Sequence, residues 1–251
     1  MKKKIPRLTA NFESLVLDNG YYVDKTEFIQ KLEGLNFPNL FFLRPRRFGK
    51  SLTLSMLEYY YGIQHKDKFE KLFGQYFIGQ PGNSTPLKNS YYILNFSFSG
   101  IKTQTPDDIE KEFNSEVSSQ IIRFLNTYSL GSDEDQKVFF EDLSSPDLLR
   151  RFFTLFNKFA STGKVYILID EYDHFTNELF SFDKGHFKEI VSRNGWVRKF
   201  YEVIKQFMGE GIIDRFFATG VTPVTLDSMT SGFNVAQNIT LDYKFHNMAG
   251  F

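Results

Sequence analysis

Cysteine is absent from the 251-residue chain, which excludes disulfides, thiolate metal sites and cysteine nucleophiles. Net charge is absent as well: 30 Lys and Arg balance 30 Asp and Glu, and the pI is ≈ 6.9. Such a balance does not suggest a dominant non-specific grip on nucleic acid or on an acidic membrane surface. Long apolar runs are missing too. None approaches the ~20 residues of a membrane span. The basic start Met1-Lys2-Lys3-Lys4 leads into Ile5-Pro6-Arg7-Leu8-Thr9, not into the apolar stretch of a secretory leader. The expectation is a soluble, cytoplasmic protein with no membrane partner. Tryptophan occurs once, but 30 Phe and 13 Tyr bring the aromatic share to 18%, so the core should be built from rings. The remaining composition, 41% hydrophobic and 24% charged, is that of a globular chain long enough to bury a full core without staples.

Short apolar runs alternate with helical periodicity, the pattern of an α/β fold with a mostly parallel sheet. Strands are expected at residues 39–43, 91–96, 165–169 and 215–219, with a fifth at 234–241. Helices are expected after Lys50, with Leu52, Met56, Leu57 and Tyr60 on one face, and after Pro106, where Ile109, Phe113, Val117, Ile121 and Phe124 form a stripe. Two more should start near Ser145-Pro146-Asp147 and at Trp196, the latter ended by Gly209 and Gly211. Residues 81–90 and 128–136 read as surface loops.

Two motifs carry chemistry. Phe41-Phe42-Leu43-Arg44-Pro45-Arg46-Arg47-Phe48-Gly49-Lys50-Ser51-Leu52 has the strand, loop, Gly-Lys-Ser and helix order of a phosphate-binding loop. Loop amides and a helix N-terminus supply partial positive charge where a triphosphate lies. Lys50 is a point cation for the β- and γ-phosphates, and the Ser51 hydroxyl is a Mg2+ ligand. Arg46, Arg47, Phe48, Gly49 and Leu52 complete the expected nucleotide-binding set. One departure matters: in the spacing G-x-x-x-x-G-K-S the first glycine falls on Arg44. Alone, the stretch also reads as a basic turn before an ordinary helix. The second motif, Val165-Tyr166-Ile167-Leu168-Ile169-Asp170-Glu171, ends an apolar strand in two carboxylates. Asp170 is the expected metal ligand, and Glu171 the group that polarises an attacking water. A buried strand delivers both at its C-terminal edge, where such sheets bind ligands. Two motifs in the right order, each at a strand end, point to a nucleoside triphosphate site. The Asp-Glu tandem favours a hydrolase over a small-molecule kinase. Thr219, in Phe217-Ala218-Thr219-Gly220, has two readings: a polar sensor of the γ-phosphate, or ordinary strand-end chemistry.

Tyr22-Val23-Asp24-Lys25-Thr26, Leu43 to Ser51, Ile169-Asp170-Glu171-Tyr172-Asp173 and Thr219-Gly220-Val221-Thr222-Pro223-Val224 closely resemble the bacterial AAA-ATPase-like family. The resemblance runs from about Ile5 to Phe251. In that family Arg-Pro-Arg-Arg-Phe-Gly-Lys-Ser is the usual form of the phosphate loop, so Arg44 is not a local defect. The resemblance implies a P-loop NTPase fold of three αβα layers. Its mostly parallel five-stranded sheet is of the additional-strand type, order 5-1-4-3-2, in one domain over 1–251. It implies ATP and Mg2+ as ligands, and an ATPase that couples nucleotide state to a partner: a second copy, or an effector protein or domain. Longer relatives often continue into a PD-(D/E)XK nuclease-like domain. The chain stops at Met248-Ala249-Gly250-Phe251, so that continuation, and nucleic-acid handling through it, is expected to be missing. The alternative function is a nucleotide-binding switch or interaction module with negligible turnover. The replaced glycine favours it, and Glu171 opposes it.

Several residues keep two readings. Tyr22 and Asp24 either form the floor for the adenine, or Asp24 caps the helix carrying Phe28, Ile29 and Leu32. Arg193, Arg198 and Arg215 are candidates for a trans-acting finger in a ring, with solvated charge the default. His65, His174, His186 and His246 show no paired metal spacing; His174 lines the site or sits on the surface. Position 44 carries a Cβ and precedes Pro45, so the loop should start extended, with phosphates held by the Phe48 to Ser51 amides. Arg46 and Arg47 then turn inward to phosphate or outward to solvent.

Overall fold

In the computed structural model, residues 3–5, 9–101, 106–182, 184–191, 195–223 and 233–250 are described. Five strands, β1 (Asn39–Leu43), β2 (Tyr92–Ser97), β3 (Val165–Asp170), β4 (Ile213–Gly220) and β5 (Gln237–Asn238), form one sheet in the order β2-β3-β4-β1-β5. Every pairing is parallel. Read from its other edge this is the expected 5-1-4-3-2. The helices are α1 (Phe12–Leu17), α2 (Glu27–Glu33), α3 (Lys50–Tyr61), α4 (Phe69–Phe73), α5 (Pro106–Tyr128), α6 (Asp133–Lys137), α7 (Ser145–Phe159), α8 (His174–Phe182), α9 (Lys184–Val191) and α10 (Trp196–Gly209).

The layers follow from the two-residue period of a strand, which sends successive side chains to opposite faces. Val165, Ile167 and Ile169 of β3 join Phe41 and Leu43 in a core built with α5, α7 and α10. Tyr166 and Leu168 join Leu40 and Phe42 in a second core with α1, α2, α3 and α4. Both faces are therefore apolar, as a covered parallel sheet requires. Each fully buried Phe, Leu or Ile contributes about 1.5–3 kcal/mol relative to exposure. Rings dominate both cores, with Phe98, Phe113 and Phe200 in mutual contact on one side and Phe12, Phe73 and Tyr60 linked on the other.

Parallel register brings all strand C-termini to one edge. Leu43 pairs with Gly220, Phe42 with Thr219, Ile169 with Ala218 and Ser97 with Asp170. The loop after β1, the carboxylates ending β3 and the hydroxyl ending β4 thus share that edge.

The fifth strand is far shorter than the expected 234–241. Only Gln237 and Asn238 pair, with Leu40 and Phe41. The Asn238 side chain takes the Thr240 amide, and the Thr240 hydroxyl accepts from the Leu43 amide. Side chains thereby replace the ladder and turn the chain across the end of β1, which also blunts the sheet edge. The stretch 128–136 is not all loop. Ser132 and Asp135 form a reciprocal capping box that starts α6.

Candidate functional site at the strand C-termini

β1 hands the chain to the loop that ends in α3. Arg44 keeps a negative φ, and its amide donates to the Gly220 carbonyl (3.1 Å), extending the β1–β4 ladder by one bond. The left-handed backbone lies later, at Arg47 (φ 67°) and Gly49 (φ 79°). Gly49 is the N-cap of α3, and no side chain caps that helix among the described residues. Its first-turn amides are therefore open to an anion.

Lys50, the first residue of α3, is only 5% exposed. Its ammonium donates to the carbonyls of Arg44 (3.0 Å) and Pro45 (3.1 Å), stretching back over the loop. Burial pulls its pKa below the usual lysine value, and the charges of Asp170, Glu171 and Asp173 oppose that shift. A buried ammonium whose hydrogen bonds among the described residues go to two carbonyls is suited to a ligand that brings negative charge. Arg46, Arg47 and Phe48 are exposed on the loop.

The end of β3 meets this loop directly. The Ser51 hydroxyl donates to Asp170 Oδ2, and the Thr219 hydroxyl donates to Asp170 Oδ1 (2.7 Å). Two hydroxyls singled out in the sequence, from α3 and β4, thus converge on the one carboxylate that ends β3. Hydroxyl and carboxylate oxygens are hard donors of the kind Mg2+ takes, and Mg2+ in phosphate sites needs only one or two protein ligands. No cluster of three His, Cys, Asp or Glu suited to a metal occurs among the described residues, so the donor set fits a metal shared with phosphate and does not form a dedicated cage. Glu171 follows in the left-handed region (φ 52°), which is uncommon for a residue with a side chain. Its carboxylate lies 3.8 Å from His174 Nδ1.

Asp173 was singled out only as part of a motif, yet it organises the edge. Buried to 1% exposure, its carboxylate accepts from the Val221 and Thr222 amides (3.0 and 2.6 Å), the Thr222 hydroxyl (3.2 Å) and Asn177 Nδ2 (2.7 Å). Tyr172 donates its hydroxyl to the Thr222 carbonyl (2.5 Å). Gly220 is required here: a Cβ would run into Asp173 Oδ1 and the Tyr172 ring. The sequence signal lies in the third carboxylate of Asp170-Glu171-Tyr172-Asp173 and in Thr219-Gly220-Val221-Thr222, which ends β4 and leaves it.

Beside the loop lies a cavity lined by Tyr21, Tyr22, Val23, Leu52, Thr53 and, from the far end of the chain, Met248, Ala249 and Gly250, with Arg47, Phe48 and Gly49 at its junction with the loop. Tyr22 and Leu52 belong to the expected binding set. Asp24 does not line the cavity. Its Oδ1 accepts from the Thr26 amide and hydroxyl and its Oδ2 from the Phe77 amide. It thus anchors the segment carrying Tyr22, while Thr26 takes the N-cap position of α2. Arg215 sits near the opposite end of β4 from Thr219, with its Nε donating to the Tyr91 hydroxyl (3.3 Å), and Arg198 pairs with Glu202 (2.9 Å). Arg193, Val224 and the side chain of His186 lie outside the described residues.

An all-parallel five-stranded sheet of this order, with a Gly-Lys-Ser helix start after β1 and a β3 carboxylate against it, defines a P-loop-like α/β fold. The chain belongs to the AAA-ATPase-like family, described as "Predicted AAA-ATPase", which matches residues 6–230. Among curated proteins it is similar to "Uncharacterized protein in vnfD 5'region" of Azotobacter chroococcum mcd 1. The two are 25% identical over 263 residues, covering 100% of this chain and 43% of that protein. The chain thus spans less than half the length of that relative. No solved structure matches it significantly.

Proposed function

We propose that this edge of the sheet binds ATP with Mg2+ and hydrolyses the terminal phosphate. The observation that carries the reading is the convergence of Ser51 and Thr219 on Asp170 beside the buried, carbonyl-held ammonium of Lys50. In this reading Lys50 exchanges its two carbonyl partners for β- and γ-phosphate oxygens, and the uncapped first turn of α3 contributes amides. Ser51 and Asp170 hold the metal, which when bound neutralises charge on the phosphates. Glu171, placed one residue beyond Asp170, orients and polarises the attacking water. Thr219 reports the γ-phosphate through its bond to Asp170. The base occupies the cavity between Tyr22, Leu52 and the 248–250 segment. Nucleotide state would pass to a second copy or an effector protein through the loops that Asp173 secures.

Phosphate release from ATP, measured with Mg2+ and again after chelation, tests the reading. Metal-dependent turnover supports it. Nucleotide binding without turnover replaces it with a switch module.

A further inference from the structure

Arg44 stands where phosphate loops of the G-x-x-x-x-G-K-S form carry glycine, and its side chain points to a use that does not involve phosphate. Its Nη1 donates to the carbonyls of Leu43 and Thr240 (both 2.9 Å), and its Nη2 donates to the Phe245 carbonyl (3.2 Å). The guanidinium carbon also lies 4.4 Å from the centre of the Phe42 ring. The remote acceptors are 196 and 201 positions away in the chain. Its acceptors among the described residues are all carbonyls, and partial burial lowers its pKa.

Those carbonyls belong to the segment that crosses the end of β1 and then walls the cavity. The Phe245 carbonyl accepts from Arg44 and also from the Met248 amide (3.2 Å), which closes the turn leading into Met248, Ala249 and Gly250. Met248 is fully buried and Ala249 nearly so. At Gly250 (φ 88°) an added Cβ would meet the edge of the Phe48 ring at 3.4 Å, and one added at Gly49 would lie 3.7 Å from the Gly250 nitrogen. One fork thus connects the first residue of the phosphate loop to the wall that a nucleotide base would touch.

We infer that Arg44 is a positioning residue for the base subsite: its guanidinium holds residues 240–250 against the phosphate loop, so base recognition depends on it and phosphate binding does not. The inference rests on the nucleotide reading above. A lysine cannot reproduce the fork, because a compact ammonium has no planar pair of donors to span both carbonyls. Losing one charge-assisted bond to a wall the ligand needs corresponds to about tenfold in affinity.

Binding of Mg-ATP and of Mg-tripolyphosphate, which has phosphates and no base, is measured by calorimetry for the wild type, Arg44→Lys and Ala249→Leu. The last fills the cavity from the wall side without touching the Arg44 bonds. Expected is a loss of about tenfold or more for ATP in both variants, with tripolyphosphate affinity unchanged within about twofold. Equal losses for the two ligands in Arg44→Lys would overturn the inference, since Arg44 would then serve the phosphate loop itself. So would an ATP affinity untouched by Ala249→Leu, since the 248–250 wall would then not meet the base. Binding of neither ligand by the wild type would remove the nucleotide reading and the inference with it.

Discussion

Replacing Asp173 by asparagine isolates the carboxylate that secures the loop after β4. The side chain is almost isosteric, so packing against Tyr172 and Gly220 is retained. What changes is the acceptor. With the amide oxygen in the Oδ2 place, the Val221, Thr222 and Asn177 donors keep a partner but lose charge assistance. The amide nitrogen then takes the Oδ1 place and faces the Val221 N–H at 3.2 Å, donor against donor. Charge-assisted bonds are roughly twice as strong as neutral ones. Weakening four of them by about 0.5–1 kcal/mol each gives a loss of about 2–4 kcal/mol. For a chain of this size that is a drop in Tm of about 4–16 °C. Near-UV circular dichroism during heating reads it, with far-UV signal at low temperature as the control for folding. A Tm within 1 °C of wild type, on the order of experimental error, would refute the assignment of Asp173 as the organising acceptor.

Gly220→Ala places a Cβ against Asp173 Oδ1 and the Tyr172 ring. It should cost about 1–3 kcal/mol in urea unfolding, less than additively with Asp173→Asn, because both disturb the same contact. Glu171→Gln should slow phosphate release by roughly 10²-fold while leaving ATP affinity in place; an unchanged rate would move the hydrolytic role elsewhere. Burial pushes the Tyr59 and Tyr91 hydroxyls from 10.0 up to about 12. A raised folded pKa gives stability that is complete below the unfolded value and is lost as pH rises through the folded one. The urea midpoint should therefore fall between pH 10 and 12, less steeply in Tyr91→Phe, and a flat profile would contradict the burial argument.

Which parts of this were legible beforehand follows from the range of the interactions. β1 and β3 were readable because they are solid apolar runs buried on both faces, and Lys50, Ser51 and Asp170 because their chemistry sits next to those strands. Parallel register then carries them together without further information. The fifth strand is shorter than its apolar pattern implies because Asn238 and Thr240 divert hydrogen bonds from the ladder. Helices α8 and α9 were not expected: they follow Glu171 in a stretch where Phe and polar residues keep no clear starting signal. Asp24 shows the limit of local reasoning, because its partner at Phe77 lies 53 positions away. Arg44 shows it more strongly. Nothing near position 44 announces that its guanidinium ends on Thr240 and Phe245.

In the proposed function the loop from Arg44 to Ser51 holds a nucleoside triphosphate through Lys50. The most direct measurement is the melting temperature of the wild type and of Lys50→Ala, each with and without saturating Mg-ATP. A ligand at 100 times its Kd stabilises the folded state by about 2.7 kcal/mol, which is a rise of about 5–11 °C here. That rise is expected in the wild type, with its collapse in Lys50→Ala. No rise in the wild type, or an equal rise in both proteins, would contradict the proposed function.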